Sequence, residues 1–301
     1  MTPWDELVAS GEADIDVSLA GHTTYKLGGP ARLYVEVADV AALSRVARAN
    51  AADPAPILVL GRGSNLLVSD DGFDGVVVRL GSKFSTMSVD AEGRIDAGGA
   101  LPLPRLARGA ADAARGGLEW CVGVPGSVGG AVRQNAGCFG SEVVDCLIEA
   151  EVVSLRTGGV DRRPVDDLEF GYRHSNLAAT DVVTSSRFAT VPTDPDRARA
   201  LMLEVTRWRR RHQPGGTLNA GSVFKNPPDE AAGALIDRLG LKGFSMGKVR
   251  VSPRHANFIE AEPGARAADV RALIDEVQAR VAEAGVELER EIQYIGFGSG
   301  Q

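Results

Sequence analysis

The chain has 301 residues, 44% of them apolar and 24% charged, with a formal net charge of −7, a composition expected of a soluble globular protein with one large domain or two. No apolar run approaches the roughly 20 residues that span a bilayer, the acidic start MTPWDELVASGEAD carries no secretion signal, and the negative charge argues against general nucleic-acid binding. Cys121, Cys138 and Cys146 are odd in number without C-x-x-C spacing, and His22, His174, His212 and His255 are scattered, so neither a disulfide scaffold nor a metal site is expected, and a reducing cytoplasm fits best.

In chain order, ARLYVEV (Ala31 to Val37) alternates as a strand does. Val40, Leu43, Val46 and Ala47 then recur at helical spacing behind Asp39 as a cap, and ILVL is a second strand. That order predicts an α/β layer. The ILVL run leads straight into GRGSN, with Gly61 and Gly63 one residue apart. The dinucleotide fingerprint of doubly wound folds requires a third glycine where Leu66 stands. The following residues read as strand, turn at Asp71–Gly72 and strand through Val76 to Val78, rather than as a helix. By itself the stretch is either a tight turn or a nest of backbone amides, Gly61 to Asn65, able to wrap a pyrophosphate.

Further on, RIDAGGALPLPRLARGAADAARGG predicts a strand, a turn at Gly98–Gly99 and a short helix through Leu103, Leu106 and Ala110. VGVPGSVGGAVRQNAGCFG is the densest glycine region, with Gly123, Gly126, Gly129, Gly130, Gly137 and Gly140. It is either a second phosphate-facing or ring-facing loop or a buried crossover, and without a G-K-[ST] sequence it is not a P-loop. EAEVVSLRTGGVDRRPV predicts a hairpin turning at Gly158–Gly159. A helix follows, with Leu201, Val205 and Trp208 on one face and the basic run RWRRRH at its end. A domain boundary is placed near residue 195. The remainder predicts a helix at DEAAGALIDRLG, a few short strands, a helix with Val270, Leu273, Ile274, Val277 and Val281 as its buried stripe, and VELEREIQYIGFG as a closing strand. There is no internal repeat.

Taken together, GRGSNLLVSDDGFDGVVV, GVPGSVGGAVRQNAG, FGYRHS, AGSVFKNP and LEREIQYIG stand in an order and spacing that closely resemble the UDP-N-acetylenolpyruvoylglucosamine reductase family, from about Thr23 to Gly296. The resemblance implies a mixed α/β (α+β) fold. Its FAD-binding region is of the vanillyl-alcohol-oxidase type, in two subdomains (1–85 and 86–195), and a C-terminal substrate-binding domain (196–301) sends its last strand back towards the flavin site. It further implies noncovalently held FAD, NADPH as hydride donor, and reduction of UDP-N-acetylglucosamine enolpyruvate to UDP-N-acetylmuramate, with hydride to C3 and a proton to C2 of the enolpyruvyl group. Neither nucleic-acid binding nor membrane insertion is implied.

Carried over by motif, the cofactor-binding residues are Tyr25, Gly28 and Gly29; Gly61, Arg62, Gly63, Ser64 and Asn65; and Pro125, Gly126, Ser127, Gly129 and Gly130. Ser222 matches the proton donor, and Arg173 and Glu291 match the pair that meets the developing enolate. Arg209, Arg210 and Asn226 match substrate ligands. The chemistry suits these residue types. Hydride addition leaves carbanion character beside a carboxylate, a guanidinium binds a carboxylate through two parallel hydrogen bonds, and a carbanion is basic enough to take a hydroxyl proton. The interval between Arg173 and Arg210 is too short for the longer subtype's tyrosine lid, so the chain resembles the shorter subtype. Arg290 and Gln293 depart from the usual pattern. They leave Glu289 as an alternative to Glu291, because residues two apart share a strand face. The competing readings are a flavin oxidase of the same superfamily and a noncatalytic nucleotide-binding protein using the arginine cluster.

Overall fold

The structure, a computed structural model, describes residues 1–298. The chain divides into two units built from interleaved segments. One takes Met1–Ile15, Leu33–Arg62 and Gly75–Trp208, and the other takes Asp16–Arg32, Gly63–Asp74 and the chain from Arg209 onward.

In the first unit, the Asp39 carboxylate accepts the Ala42 amide at 3.0 Å, capping the helix Val40–Ala52 and turning its face of Ala42, Leu43, Val46 and Ala47 inward. The strand Ile57–Leu60 runs parallel to Phe73–Leu80, with Ile57 opposite Val76 and Leu60 opposite Arg79. Phe73–Leu80 lies between Pro30–Val37 and Ile57–Leu60 in the sheet. The strands flanking the helix in sequence are therefore not sheet neighbours, and the later valine strand fills the space between them.

A second, antiparallel sheet has the order Val160–Pro164, Leu147–Ser154, Asp181–Phe188, Ile95–Gly98, Met87–Val89. The hairpin 147–164 turns at Gly158 as the sequence predicts. Helices Leu103–Asp112 and Val128–Gln134 contribute to the same core, with Leu103, Leu106, Val128 and Val132 buried in it. The helix Pro195–His212 also differs from expectation. Its buried stripe is Ala198, Met202 and Val205, whereas Leu201 and Trp208 are exposed. The observed stripe keeps the i, i+4, i+7 spacing but sits one side-chain row away from the predicted one.

In the second unit, the helix Ala267–Glu283 buries the predicted stripe Val270, Leu273, Ile274, Val277 and Val281. The Asp70 carboxylate takes its first amides, Ala267 at 2.9 Å and Ala268 at 3.0 Å, satisfying donors that a helix start leaves open. The strands Ser245–Met246, Val249–Val251 and Ile259–Ala261 form a small antiparallel sheet. The predicted closing strand is real only over Gln293–Ile295, which pairs parallel with Leu66–Val68. Upstream, Glu289 and Glu291 bond instead to residues 223–225 in single bridges, so the ladder does not extend. Among the described residues, no helix is long and apolar enough to cross a membrane.

Candidate functional site

The first unit contains a cavity of about 310 Å³ whose wall includes Gly61, Arg62, Ser127, Gly129 and Gly130. Two loops far apart in sequence meet there. The Arg62 Nε donates to the Pro125 carbonyl at 2.9 Å, and a Cβ on Gly61 would stand 2.8 Å from the Ser127 hydroxyl. The Gly126 carbonyl accepts the Leu103 amide at 3.1 Å, and the amides of Val128 and Gly129 bond to Leu101 and Gly99 at 2.9 Å. These bonds fix the second loop's curvature. Four arginines, Arg62, Arg79, Arg105 and Arg133, line this cavity together with Glu36 and Asp181.

Arg79 is held by the Tyr34 hydroxyl at 3.3 Å, which with nearby Glu36 raises its pKa. Burial pulls the Arg133 pKa down, partly offset by Asp181. Arg133 also donates to the Ala178 carbonyl at 2.8 Å. A cavity lined by glycine-rich backbone and several arginines fits a dinucleotide's diphosphate, so the residues present suit FAD. Sequence reasoning selected Arg62 but missed Arg79 and Arg105, which no glycine motif marks, and Arg133, which stands within GVPGSVGGAVRQNAG.

Arg173 lies elsewhere in the same unit, in a reverse turn closed by reciprocal bonds between Gly171 and His174, each 3.1 Å. Its φ of 53° is left-handed, an uncommon backbone state for arginine. A polar network offsets that strain. The guanidinium bonds Glu142 at 3.2 Å, the Asn135 carbonyl at 3.4 Å and the Gly137 carbonyl at 3.5 Å. Buried Asn135 ties the network together, donating to Glu142 and to the Gly171 carbonyl at 3.0 Å each and accepting the Val144 amide at 3.0 Å. The side chain of Arg173 remains 18% exposed, so it can still be reached. Asn135 lay in plain view in RQNAG; its role follows from its left-handed helix-ending conformation, which the pattern alone does not disclose.

Ser222 and Glu291 belong to the second unit. Ser222 follows Gly221, whose φ is 79°, and pairs with Phe258 in an isolated antiparallel bridge. Asn257, buried and not foreseen, fixes this segment by accepting the Phe224 amide at 2.9 Å and donating to the Phe224 carbonyl at 2.8 Å. The Glu291 amide bonds the Val223 carbonyl at 2.8 Å, so Ser222 and Glu291 are carried on directly bonded backbone. The two candidate carboxylates part company here. Glu289 is drawn to Lys225, with Nζ 2.6 Å from its oxygen, while the Arg290 guanidinium lies 4.1 Å from the centre of the Tyr294 ring.

The remaining predicted residues of this unit have packing reasons. Tyr25 is fully buried and its hydroxyl donates to the Ile259 carbonyl at 3.0 Å. Its side chain therefore builds the core, and only backbone at this turn is left for a ligand. A Cβ on Gly28 would stand 2.7 Å from the Val68 Cβ, one on Gly29 2.3 Å from the Asp70 carbonyl, and one on Gly63 2.1 Å from the His22 carbonyl. Asn65 donates to the Glu291 carbonyl at 2.9 Å and accepts the Gln293 amide at 3.0 Å. Ser64 is half-buried beside it. Asn226 accepts the Ala232 amide at 3.1 Å at the start of the helix Ala232–Arg238. Arg209 Nε reaches the Gln213 side chain at 2.6 Å, and the Arg210 carbonyl accepts from Arg254 at 3.0 Å.

Comparison with known proteins agrees with this layout. Residues 31–162 match a family described as an FAD binding domain, and residues 213–295 match the C-terminal domain of UDP-N-acetylenolpyruvoylglucosamine reductase. The chain is 42% identical to the UDP-N-acetylenolpyruvoylglucosamine reductase of Caulobacter vibrioides, over 96% of each. It is 43% identical to that of Heliobacterium modesticaldum, over 94% of this chain and 90% of the relative. The crystal structure of the Thermus caldophilus reductase superposes with a TM-score of 0.81 at 38% identity, covering 94% of this chain and 98% of that one. Sequence, domain composition and fold thus agree, and the chain belongs to the UDP-N-acetylenolpyruvoylglucosamine reductase family.

Proposed function

We propose that this FAD-dependent oxidoreductase reduces UDP-N-acetylglucosamine enolpyruvate to UDP-N-acetylmuramate in peptidoglycan precursor synthesis, with NADPH as electron donor, in the cytoplasm. It is of the shorter subtype without a tyrosine lid. The observation that carries the reading is the cavity lined by Gly61, Arg62, Ser127, Gly129 and Gly130 with Arg79, Arg105 and Arg133, in a chain of this family. Residues 1–85 and 86–195 serve as the two flavin subdomains and 196–301 as the substrate domain.

Bound in this cavity, FAD would supply the hydride chemistry by which NADPH reduces C3 of the enolpyruvyl group. Arg62, Arg79, Arg105 and Arg133 neutralise its diphosphate, and the bare backbone of Gly61, Gly129 and Gly130 permits close approach. The flavin is held noncovalently in this reading.

Arg173 is clamped by Asn135, Gly137 and Glu142. It meets the substrate carboxylate and stabilises charge that grows there as C3 is reduced. Glu291 makes the second contact, as a hydrogen-bond donor when it carries its proton. Ser222, on the segment pinned by Asn257, gives its hydroxyl proton to C2. Arg209, Arg210 and Asn226 take the nucleotide's diphosphate end.

The test is spectroscopic. Purified protein should be yellow, bleach on anaerobic addition of NADPH, and regain its colour when UDP-N-acetylenolpyruvoylglucosamine is added. A colourless protein that takes up no FAD, or bleached protein that the enolpyruvyl sugar leaves bleached, would overturn the proposal.

A further inference from the structure

In the first unit, the hairpin formed by Gly137–Cys138 and Ser141–Glu142 turns through Phe139 and Gly140. Both turn residues have positive φ, 56° and 83°, a two-residue turn that Asn-Gly fills without strain. Phenylalanine in that state is a backbone outlier, and such outliers cluster where a side chain has a task beyond the fold. The ring is not buried in a core. Phe139 is 45% exposed, and it meets an equally unusual neighbour, Trp208, 40% exposed, edge to face at a centroid distance of 6.2 Å.

The same hairpin carries two of Arg173's anchors, the Gly137 carbonyl and the Glu142 carboxylate. The aromatic tip is thus rigidly linked to the guanidinium assigned to the enolpyruvyl carboxylate. That carboxylate reaches the substrate's pyranose through one carbon and one ether oxygen. The tip follows Gly137 by two residues on that hairpin, and the short linkage keeps the sugar ring close to the bound carboxylate. An amphipathic sugar offers C–H faces and an acetamido methyl, which aromatic rings cover well.

Resting on the reductase reading, we propose that Phe139 and Trp208 form the platform for the N-acetylglucosamine ring of the substrate, and so determine its selection. Strain in the turn is the consequence of placing a ring where asparagine would suit the backbone. The platform also gives a chain without a tyrosine lid a fixed surface against the sugar.

The test uses the FAD-loaded full-length protein with Phe139→Asn and Trp208→Ala, and the ring-conserving Phe139→Tyr and Trp208→Phe. The KM for UDP-N-acetylenolpyruvoylglucosamine should rise about 10-fold in each of the first two, with a smaller change in kcat and in the KM for NADPH, and stay within about twofold in the conservative pair. Phe139→Asn should melt at or above the parent temperature, because it relieves the turn. An unaltered KM in both Phe139→Asn and Trp208→Ala, a rise confined to NADPH, or a lowered melting temperature for Phe139→Asn would overturn the platform while leaving the reductase reading intact. A parent protein that cannot reduce the enolpyruvyl sugar overturns both.

Discussion

Within GRGSN, the first two residues and the last three answer to different physics. Gly61 and Arg62 face a cavity, where the nearest obstacle to a side chain at 61 is the Ser127 hydroxyl. Gly63 is glycine because its φ is 60° and the His22 carbonyl stands 2.1 Å from where a Cβ would be, and Asn65 is spent on the backbone of Glu291 and Gln293. One motif therefore holds a candidate ligand surface and a structural lock side by side. Resemblance alone gives them a single label.

That distinction can be sharpened by experiment. The largest effect belongs to the chemistry. Ser222→Ala should keep bound flavin and slow its reoxidation by the enolpyruvyl sugar by roughly 100- to 10,000-fold in single-turnover measurements, and a rate within a few-fold of the parent would remove Ser222 from the reaction. Next comes the lock. Gly63→Ala combines a left-handed alanine with a backbone collision, for a loss of about 2–5 kcal/mol in denaturant unfolding, whereas Gly61→Ala should lose less than about 1 kcal/mol, because a hydroxyl can rotate aside, yet retain FAD less well through dialysis. Equal destabilisation by the two alanines would erase the distinction drawn here.

A smaller contrast separates the two glutamates. Glu291→Gln should lower turnover about 10- to 100-fold, and Glu289→Gln, which removes only the partner of Lys225, less than about threefold. The reverse ranking would move the role to Glu289.

The smallest effect is a pH response. Burial, with lesser help from Lys242 and His212, lowers the pKa of His255, and its Nδ1 accepts the Asn257 amide at 3.3 Å, which requires the neutral ring. A depressed folded-state value means that the unfolded chain binds the extra proton. This contribution is therefore complete above the ordinary histidine value of about 6.5 and is lost as pH falls from there towards the folded value. His255→Gln should reduce the fall in Tm between pH 7.5 and pH 5.5 by on the order of 1–2 °C.

Much of the fold was legible because periodicity reports burial. The stripes of Val40–Ala52 and Ala267–Glu283 and the turns at Gly72 and Gly158 appear where their spacing put them. Periodicity failed where tertiary pairing decided the outcome. It took Leu201 and Trp208 for core because their spacing is helical, and it could not see that Phe73–Leu80 would slip between two earlier strands. For the candidate site, motif resemblance nominated residues for ligand contact, several of which, such as Tyr25 and Gly63, have packing reasons of their own. It was silent on the roles of Asn135, Asn257, Arg79, Arg105 and Arg133, which arise only when distant backbone is brought together.

The interleaving of segments has a consequence for how the molecule is made. Tyr25, Leu27 and Leu67 are synthesised early, yet they share a core with Val270, Leu273 and Ile274, so they must wait for nearly the whole polypeptide before their surroundings exist. Nascent chains stalled short of the 267–283 helix would expose those side chains to whatever chaperone is at hand, and an isolated fragment starting at Arg209 would lack both the Leu66–Val68 partner strand and the Asp70 cap.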